Sequence, residues 1–463
     1  MTSKVYSNYT ESGSPWLGQI PSHWSVKKLK FLAVVQPSNV DKKAIDGEEP
    51  VLLCNYTDVY KNEYIGSRLE FMSATATSTE IEKFSTDIGD VIVTKDSEDP
   101  SDIAIPACIS EKIDGLLCGY HLTQIKPIDL DGRYLLRLFQ SKGFNAQFII
   151  SANGVTRFGL PQHAISNAYS CIPPMPEQKG IANFLDFKTA QIDALISQQK
   201  DLLDKLAEKR TALISHAVTK GLDPSVKMKD SGVEWLGEIP KHWTMTRLRF
   251  VTTCIEQGWS PQCNNQPASE EQWGVLKVGC VNSESFDENE NKSLPDNLEP
   301  RLQYEVKSGD ILVSRANTKA LLGSAALINQ VRPRLLLCDK LYRIKPNSLV
   351  EAGYLVRFMR STIARFQYEK NATGTSGSMQ NIGQDTLKDL PIPLPPKDEQ
   401  VAILKYLESK STTIKLSEEK IASVIAKLTE YRVSLITNAV TGKIDVRDFP
   451  IPEQGESQQT ECA

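Results

Sequence analysis

Basic and amide side chains follow a short apolar run in the second half of the chain. Arg315, Asn317 and Lys319 come directly after the residues Asp310-Ile-Leu-Val-Ser314. Guanidinium, amide and ammonium groups can hydrogen-bond the edges of guanine and adenine, or the phosphate oxygens beside them. A solvated surface loop without a ligand is the alternative. The sequence therefore offers this loop as a candidate contact to nucleic acid.

A loop of different charge occupies the matching place in the first half. It begins with Lys95 but continues with Glu98, Asp99 and Asp102. A carboxylate can accept a hydrogen bond from the amino group of cytosine, whereas it repels phosphate. We therefore expect the two loops to contact different bases.

Two loops rich in small residues are further candidates. They are Thr373–Gln380 and its counterpart Asn153–Arg157. Small residues allow a backbone to approach a nucleic-acid groove closely, with Gln380 and Arg157 as side chains that could contact bases. A flexible linker is the alternative for both loops.

Motifs for catalysis or metal binding are missing or incomplete. Thr441-Gly-Lys443 lacks the earlier glycine of a phosphate-binding loop, and Leu394-Pro-Pro-Lys397 lacks the polar and aromatic residues of an adenine methyltransferase motif. The nine cysteines include no Cys-x-x-Cys pair, and the five histidines have no zinc-ligand spacing with them. The sequence predicts no catalytic residue, no metal site and reduced cysteines.

One acidic pattern resembles a metal-dependent nuclease. Asp296, Glu305 and Lys307 have the spacing of two carboxylates and a lysine around Mg²⁺. Their counterparts near Thr75 and Ser85 cannot bind a metal, which argues against a nuclease. We also expect His23 and His242, each between Ile-Pro-x and Trp, to be packed and hydrogen-bonded rather than catalytic.

An internal repeat explains these paired loops. Trp16-Leu-Gly-Gln-Ile-Pro-Ser-His-Trp24 recurs as Trp235-Leu-Gly-Glu-Ile-Pro-Lys-His-Trp243, about 220 residues later. Tyr134-Leu-Leu-Arg137 likewise matches Tyr354-Leu-Val-Arg357, and Glu177-Gln178 matches Glu399-Gln400. Residues 36–85 and 255–305 barely align. A shared scaffold with divergent middle segments indicates two different ligands.

Each copy has the pattern of a mixed α/β globule followed by a long helix. Short runs such as Asp90–Thr94 predict strands, and amphipathic helix candidates follow at Gly132–Ile150 and Glu351–Lys370. The proline clusters Ile172–Pro176 and Pro391–Pro396 predict a rigid linker into the next helix. The predicted fold is therefore mixed α/β (α+β) globules in two tandem copies, alternating with two long helices.

The long helices are predicted from two stretches that contain little glycine or proline. Each spans on the order of 60 Å, too long to be buried against one small globule. We expect the two helices to form an antiparallel coiled coil, although each could instead pack on its own globule. The predicted apolar seam consists of Ile192, Leu195, Leu202, Leu206, Leu213, Ile414, Ile421, Val424, Leu428 and Leu435.

The predicted domain boundaries follow from these patterns. They are globules at 14–175 and 228–396, long helices at 176–222 and 397–442, and a polar C-terminal tail at 446–463.

Composition limits the possible functions. The chain has 463 residues, of which 40% are hydrophobic and 24% charged, a globular balance. The net charge of −4 argues against a protein that coats nucleic acid non-specifically. Because no apolar stretch approaches the length of a membrane span, the expected location is the cytoplasm.

These motifs, in order and twice over, resemble the specificity subunits of type I restriction-modification systems. The likeness rests on Trp-Leu-Gly-Glu-Ile-Pro-x-His-Trp, on Gly-Asp-Ile-Leu-Val-Ser, and on Ile-Pro-Leu-Pro-Pro-x-x-Glu-Gln before a long helix. It implies two target recognition domains, each reading one half of a split site in double-stranded DNA. The helices would act as a spacer and as the docking surface for two methyltransferase subunits.

The resemblance also implies where catalysis takes place. Motor-nuclease subunits would join for restriction, and S-adenosylmethionine, ATP and Mg²⁺ would be used by the partner subunits rather than by this chain. Two other hypotheses remain: a coiled-coil scaffold whose globules bind proteins, and an autonomous nuclease or methyltransferase.

Overall fold

The computed structural model describes residues 4–374 and 379–450. The chain divides into two compact units. Unit 1 combines the residues up to Lys200 with those from Ala422 onward, and unit 2 spans Asp201–Ile421. Each unit thus contains a mixed α/β globule and a segment of each of two long helices, Met175–Lys220 and Lys397–Val440.

Unit 1 is built on a five-stranded mixed sheet and a three-stranded sheet. The five strands lie in the order Ala33–Pro37, Leu122–Pro127, Val91–Thr94, Pro106–Ile109 and Tyr64–Ile65. The three strands lie in the order Leu116–Cys118, Glu49–Cys54 and Met72–Ala76. Two-stranded ladders join Tyr9–Glu11 to Gln19–Pro21, Ser25–Lys28 to Tyr169–Ile172, and Asp96–Ser97 to Phe158–Gly159. Its short helices are Leu29–Phe31, Tyr56–Lys61, Ser78–Phe84, Pro100–Asp102, Gly132–Phe139, Lys142–Ile149 and Gln162–Ser166.

Unit 2 has a four-stranded antiparallel sheet and a three-stranded sheet. The four strands lie in the order Thr252–Gln257, Leu341–Pro346, Ile311–Ser314 and Ala325–Leu327. The three strands lie in the order Asn291–Ser293, Gly274–Leu276 and Leu335–Leu336. Two-stranded ladders join Met228–Asp230 to Glu238–Pro240, Thr244–Arg247 to Pro391–Leu394, and Ala316–Asn317 to Gln380–Asn381. Its short helices are Leu248–Phe250, Val278–Val281, Leu302–Tyr304, Ala352–Met359, Thr362–Lys370 and Gln384–Lys388.

The predicted strands at Asp90–Thr94 and Asp310–Ser314 are present, and their apolar residues are buried at the centre of the sheets. The helix candidates Gly132–Ile150 and Glu351–Lys370 are wrong as single helices. Each is two helices, because a serine interrupts the helix in both units. The Ser361 hydroxyl accepts from the Ala364 amide and so caps a new helix, while the Ser141 hydroxyl donates to the Leu138 carbonyl.

The proline clusters were expected to form rigid linkers, but most of their residues lie in strands or in the long helices. In unit 2, Pro391–Leu394 is a strand paired with Thr244–Arg247, and in unit 1 the equivalent strand Tyr169–Ile172 pairs with Ser25–Lys28. Proline is tolerated in strands of this kind, which have a free edge. Only Pro173 and Pro174, or Pro395 and Pro396, separate the strand from the long helix.

The repeated Ile-Pro-x-His-Trp motif anchors the start of each long helix. In unit 1 the Glu177 carboxylate accepts from the Trp24 indole N–H at 3.1 Å and lies 2.7 Å from His23 Nε2. In unit 2 the Glu399 carboxylate contacts the Trp243 indole at 3.0 Å and His242 Nε2 at 2.8 Å. The histidines are therefore hydrogen-bonded, as predicted from the sequence.

The glutamine that follows each of these glutamates is fully enclosed. Gln178 accepts from the Asp131 amide at 2.9 Å and donates to the Pro173 carbonyl at 3.0 Å. Gln400 accepts from the Glu351 amide at 2.7 Å and donates to the Pro395 carbonyl at 2.9 Å. The Glu-Gln pair thus joins the start of the long helix to the Ile-Pro-x-His-Trp motif and to the start of a short helix of the globule, Gly132–Phe139 in unit 1 and Ala352–Met359 in unit 2.

A glycine ends each long helix where the Ile-Pro-x-His-Trp motif packs against it. Gly442 has φ +71° and Gly221 has φ +78°, a conformation that side chains disfavour. A Cβ atom on Gly442 would lie 2.3 Å from Pro21 Cδ, and one on Gly221 would lie 3.3 Å from the Trp243 ring. Both the turn and the close approach require glycine.

Each unit holds the two helix segments antiparallel. In unit 1, Glu177 near the start of one helix and Gly442 just after the other both contact Trp24, and further along Asp193 bonds Arg432 at 2.9 Å. In unit 2, Glu399 and Gly221 lie beside Trp243, and Arg210 bonds Glu418 at 2.9 Å.

The predicted seam residues fall into two groups. Buried or partly buried are Ile192, Leu206, Leu213, Ile414, Ile421, Leu428 and Leu435. Leu195, Leu202 and Val424 are exposed by 46%, 43% and 43%. The partly buried positions lie one residue further on, at Ile196, Leu203 and Ile425. The apolar stripe on each helix is wider than the surface that contacts the other helix. The sequence alone therefore allowed two heptad frames, one with Leu195 in the seam and one with Ile196.

Part of the predicted polar tail packs on unit 1. Val446 is buried, and the Phe449 ring contacts Phe184 with ring centroids 4.8 Å apart. Residues 451–463 lie outside the described part of the chain. Within the described residues, 4–374 and 379–450, none of the helices has the length and the apolar composition of a transmembrane span.

The central sheets differ at one buried pair of residues. In unit 2 the Arg343 guanidinium bonds Glu256 at 2.6 Å and lies 3.7 Å from Asp310. In unit 1 the same positions hold Gln124 and Gln36, joined at 2.9 Å. A partly buried ion pair in one unit thus replaces an amide pair in the other.

We expect Arg343→Gln to destabilise unit 2 by roughly 2–4 kcal/mol, because it leaves Glu256 without its cation. The double variant Glu256→Gln with Arg343→Gln recreates the amide pair of unit 1 and should restore most of the stability. Thermal unfolding followed by calorimetry measures both. A double variant as unstable as the single one would contradict this account.

Candidate nucleic-acid interface

The structure brings the predicted loop residues together in each unit. In unit 1, Asp96–Ser97 pairs with Phe158–Gly159, and the Leu160 amide donates to the Lys95 carbonyl at 2.7 Å. In unit 2, Ala316–Asn317 pairs with Gln380–Asn381, and the Ile382 amide donates to the Arg315 carbonyl at 2.9 Å. The loop after the central strand and the small-residue loop therefore form one surface in each unit.

An open cleft of about 500 Å³ adjoins this surface in unit 1. The Asp96 carboxylate lies at its centre and accepts from Arg157 Nη2 at 2.6 Å, with His121 Nδ1 on its other oxygen. Tyr56 and Tyr60 stack with ring centroids 5.7 Å apart. The complete polar and aromatic lining is Lys42, Tyr56, Tyr60, Asp96, Ser97, Glu98, Asp102, His121 and Arg157.

Unit 2 has a cleft of about 550 Å³ with different chemistry, which includes Lys340, the counterpart of His121, but is not lined by residues 315–319 or by Gln380. Its cations are Lys277, Lys292 and Lys340, and Asp339 is its one acidic residue among the lining residues. Lys277 pairs with Glu290 at 3.0 Å, and Lys292 donates to the Asn265 side chain at 3.0 Å. The cleft of unit 1 thus contains carboxylates and aromatic rings, whereas the cleft of unit 2 contains mainly lysines among its charged residues.

The candidate residues of unit 1 have partners within the protein. Lys95 donates to the Ser38 carbonyl at 3.1 Å, and its ammonium lies 4.8 Å from the centre of the Tyr120 ring. Arg157 pairs with Asp96, while 58% of its side chain stays exposed. Arg157 is the better placed of the two to reach a ligand.

In unit 2 the candidates lie at different depths. Asn317 is buried, and its amide donates to Asn282 at 3.1 Å and accepts from the Thr318 amide at 2.9 Å, so it shapes the loop. Arg315 donates to the Asp339 carbonyl at 3.3 Å at the edge of the cleft. Lys319 is exposed and lies 3.5 Å from Glu369.

Gln380 lies opposite Asn317 in the short ladder. Its side-chain oxygen is buried and has no hydrogen-bond partner among residues 4–374 and 379–450. Residues 375–378 of the small-residue loop lie outside the described part of the chain. All six candidates stay predictions as DNA contacts.

The cleft residues that sequence reasoning missed lie mainly in the divergent segments. Tyr56 and Tyr60 in unit 1, and Lys277 and Lys292 in unit 2, occupy the stretches where the two copies do not align. That divergence was the available signal, because positions that read different ligands need different side chains. Spacing alone could not bring them next to Lys95 or Arg315.

The nuclease pattern does not form a metal site. The Glu305 carboxylate accepts from the Arg334 amide at 2.9 Å, and Asp296 is exposed. In the part of the chain that the structure describes, no three His, Cys, Asp or Glu side chains are placed to hold a metal ion.

Comparison with known proteins bears on the family. Residues 255–426 match the model of the type I restriction modification DNA specificity domain. The family inferred from the repeated motifs is therefore confirmed, and the specificity domain includes the lysine-lined cleft of unit 2.

Curated relatives agree. The chain is 32% identical over 210 residues to the type I restriction enzyme EcoEI specificity subunit of Escherichia coli, which covers 45% of this chain and 35% of that protein. It is 24% identical to the putative MjaX specificity subunit of Methanocaldococcus jannaschii, over 93% of this chain and 96% of that protein. The chain spans about a third of the EcoEI subunit and 57% of the EcoKI subunit of Escherichia coli K12.

Solved structures share the fold. One is a chain from a type I R-M system solved to explain its complex assembly and conformational transition, with TM-score 0.61, 16% identity, and 91% and 98% of the two chains covered. Another is the HsdS subunit from Thermoanaerobacter tengcongensis, with TM-score 0.50, 16% identity, and 94% and 100% covered.

We expect Lys340→Gln to weaken DNA binding about three- to tenfold and to lower the slope of log affinity against log salt by about 0.9, because one phosphate contact is lost. Lys388→Gln is the matched control, since Lys388 is a partly exposed lysine of unit 2 that lies outside the cleft lining and is not one of the six candidates. Fluorescence anisotropy over a salt series measures both. Equal slopes for the two variants would show that the cleft lysine makes no phosphate contact.

Proposed function

We propose that this chain is the DNA specificity subunit of a type I restriction-modification complex. Each unit reads one half of a bipartite, asymmetric site in double-stranded DNA, and partner subunits methylate adenine or cut the DNA. The observation that carries this proposal is that two units with the same scaffold carry clefts of different chemistry. Asp96, His121 and Arg157 in one suit a different base sequence from Lys277 and Lys340 in the other.

The duplicated scaffold fits a split site. Two globules with the same framework can engage two half-sites about a helical turn apart, in the way that dimeric DNA-binding proteins do. Because the two clefts differ, the two half-sites would differ in sequence. The target recognition domains would correspond to residues 14–175 and 228–396.

The long helices would act as a coiled-coil spacer between the recognition domains. The ion pairs Arg432–Asp193 in unit 1 and Arg210–Glu418 in unit 2 each join one helix to the other. Ile192 and Leu435 are buried in the same core. These contacts support an antiparallel coiled coil with alternating apolar and charged layers.

The partners would dock on the outer faces of these helices. In unit 1, Leu195, Val424 and Tyr431 are exposed by 46%, 43% and 57%, and in unit 2 Leu416 is exposed by 53%. A contiguous patch of exposed apolar side chains marks a surface for another protein, and these residues would contribute to one. We assign them to two methyltransferase subunits, with motor-nuclease subunits joining for restriction.

Catalysis would belong to these partners. S-adenosylmethionine, ATP and Mg²⁺ would bind to the methyltransferase and motor-nuclease subunits, and this chain would be a non-catalytic subunit in the cytoplasm. Methylation by the purified chain with S-adenosylmethionine alone would contradict this division. A coiled-coil scaffold without DNA specificity is the alternative, which the acidic composition keeps open.

We expect co-expression with the methyltransferase subunit encoded beside this chain to produce N6-methyladenine at one split motif. Single-molecule sequencing of the host DNA measures it. Exchange of residues 14–175 for another recognition domain should change one half of the motif and leave the other half intact. A stable complex that methylates no split motif would favour the scaffold.

We expect removal of one heptad from each long helix to shorten the unread gap of that motif, because about 10 Å of helix is lost from the spacer. Deletions should be matched on the two helices so that buried or partly buried residues such as Ile421 and Leu206 stay in frame. The same sequencing measures the gap. An unchanged gap in a folded variant would contradict the spacer role.

A further inference from the structure

One carboxylate recurs in segments that otherwise differ between the units. Glu63 lies in residues 36–85 and Glu284 in residues 255–305, where the two copies barely align. Each of them lies between two arginines. One arginine belongs to the globule and the other to a long helix.

In unit 1 the Glu63 carboxylate bonds Arg137 Nη1 at 2.9 Å and also pairs with Arg432. Arg137 is on the helix Gly132–Phe139 and is 1% exposed, and Arg432 is on the second long helix. Burial alone would raise the pKa of Glu63, but the charges of Arg137 and Arg432 outweigh it and lower the pKa. The carboxylate is therefore ionised at neutral pH.

Unit 2 repeats the arrangement. Glu284 lies 3.0 Å from Arg357 Nη1 and 3.8 Å from Arg210 Nη1. Arg357 matches Arg137 in the repeated Tyr-Leu-x-Arg motif, and Arg210 occupies the position in the first long helix that Arg432 occupies in the second. Arg360 holds the backbone before Glu284 by bonds to the carbonyls of Ser283 and Ala325, at 2.7 and 2.8 Å.

The arginine on each long helix is also held by a carboxylate of the other long helix. Arg432 Nε bonds Asp193 on the first long helix at 2.9 Å, and Arg210 Nη2 bonds Glu418 on the second at 2.9 Å. A guanidinium held by one carboxylate presents its remaining N–H groups in a fixed direction. The glutamate of the globule can therefore meet it in one geometry.

We propose that Glu63 and Glu284 are positioning residues that lock each recognition domain at one angle on the long helices of its unit. We name each set of three side chains the latch. It consists of Glu63, Arg137 and Arg432 in unit 1 and of Glu284, Arg357 and Arg210 in unit 2. The latch makes the unread gap depend on the angle of each domain as well as on helix length. Both divergent segments of this chain keep the glutamate, because each globule meets the same pair of arginines.

This inference rests on the proposed function, and its test separates the two. The complex with the methyltransferase subunit is assayed for methylation of synthetic duplexes whose gap is natural, one base pair shorter or one base pair longer. A wild-type complex that prefers no split motif would overturn the proposed function itself, and the latch with it. A wild-type preference for one gap allows the latch to be tested.

We expect Glu63→Gln to leave both half-site sequences unchanged and to raise methylation of the off-gap duplexes by about tenfold relative to the natural gap, because one of the contacts that fix the domain angle is lost. Arg432→Gln should do the same, and the double variant should be no worse than either single one, because both break the same contact. Glu111→Gln is the matched control, since this carboxylate caps Ser67 in the same globule away from the latch.

An unchanged gap preference in assembled Glu63→Gln complexes would overturn the proposal. So would loss of methylation on every duplex alike, which a purely structural role predicts. If Glu63→Gln fails to assemble, Glu284→Gln carries the same test, because its longer 3.8 Å contact to Arg210 is less costly to lose.

Discussion

A single buried hydroxyl in each unit holds the scaffold together. The Tyr134 hydroxyl lies 2.9 Å from the Cys171 carbonyl and 3.2 Å from that of Val440. The Tyr354 hydroxyl lies 2.7 Å from the Pro393 carbonyl and 3.0 Å from that of Val218. Each globule is thereby joined both to the strand that leads into its own long helix and to the last turn of the other one. A polar group this deeply buried must keep its partners, so neither helix end can move alone.

The rest of the scaffold follows from that constraint. The Ile-Pro-x-His-Trp motif can close on the end of one helix and the start of the other only if both ends meet in the same unit, as Trp24, Glu177 and Gly442 do. Both units therefore need the same scaffold residues. The clefts carry no such constraint, and there the residues differ, as at His121 in unit 1 and its counterpart Lys340 in unit 2.

The sequence predicted the features that depend on local pattern or on repetition. The strands at 90–94 and 310–314, the long helices and the hydrogen-bonded histidines are present because motif and periodicity determine them directly. The helix breaks at Ser141 and Ser361 were missed because an apolar stripe crosses them without interruption. Leu195 and Ile196 are both apolar, so only packing could decide which of them faces the partner helix.

The sequence predicted only part of the candidate site. The loops after Lys95 and Arg315 were found from residue type, and the structure then placed Arg157 and Gln380 beside them. Asn317 has the right chemistry for a base contact but is buried against Asn282. The cleft residues come from segments distant in sequence and different in the two copies. No spacing rule could have assembled them, because only tertiary folding brings these segments together.

The most direct test of the central claim is site-specific photo-crosslinking to a duplex that carries the methylated motif. A photoreactive amino acid is placed at Glu98 in the cleft of unit 1 or at Gln262 in the cleft of unit 2. If each unit reads one half-site, the two positions should crosslink to opposite halves of the motif. Crosslinks from both positions to the same half, or to neither, would contradict the account.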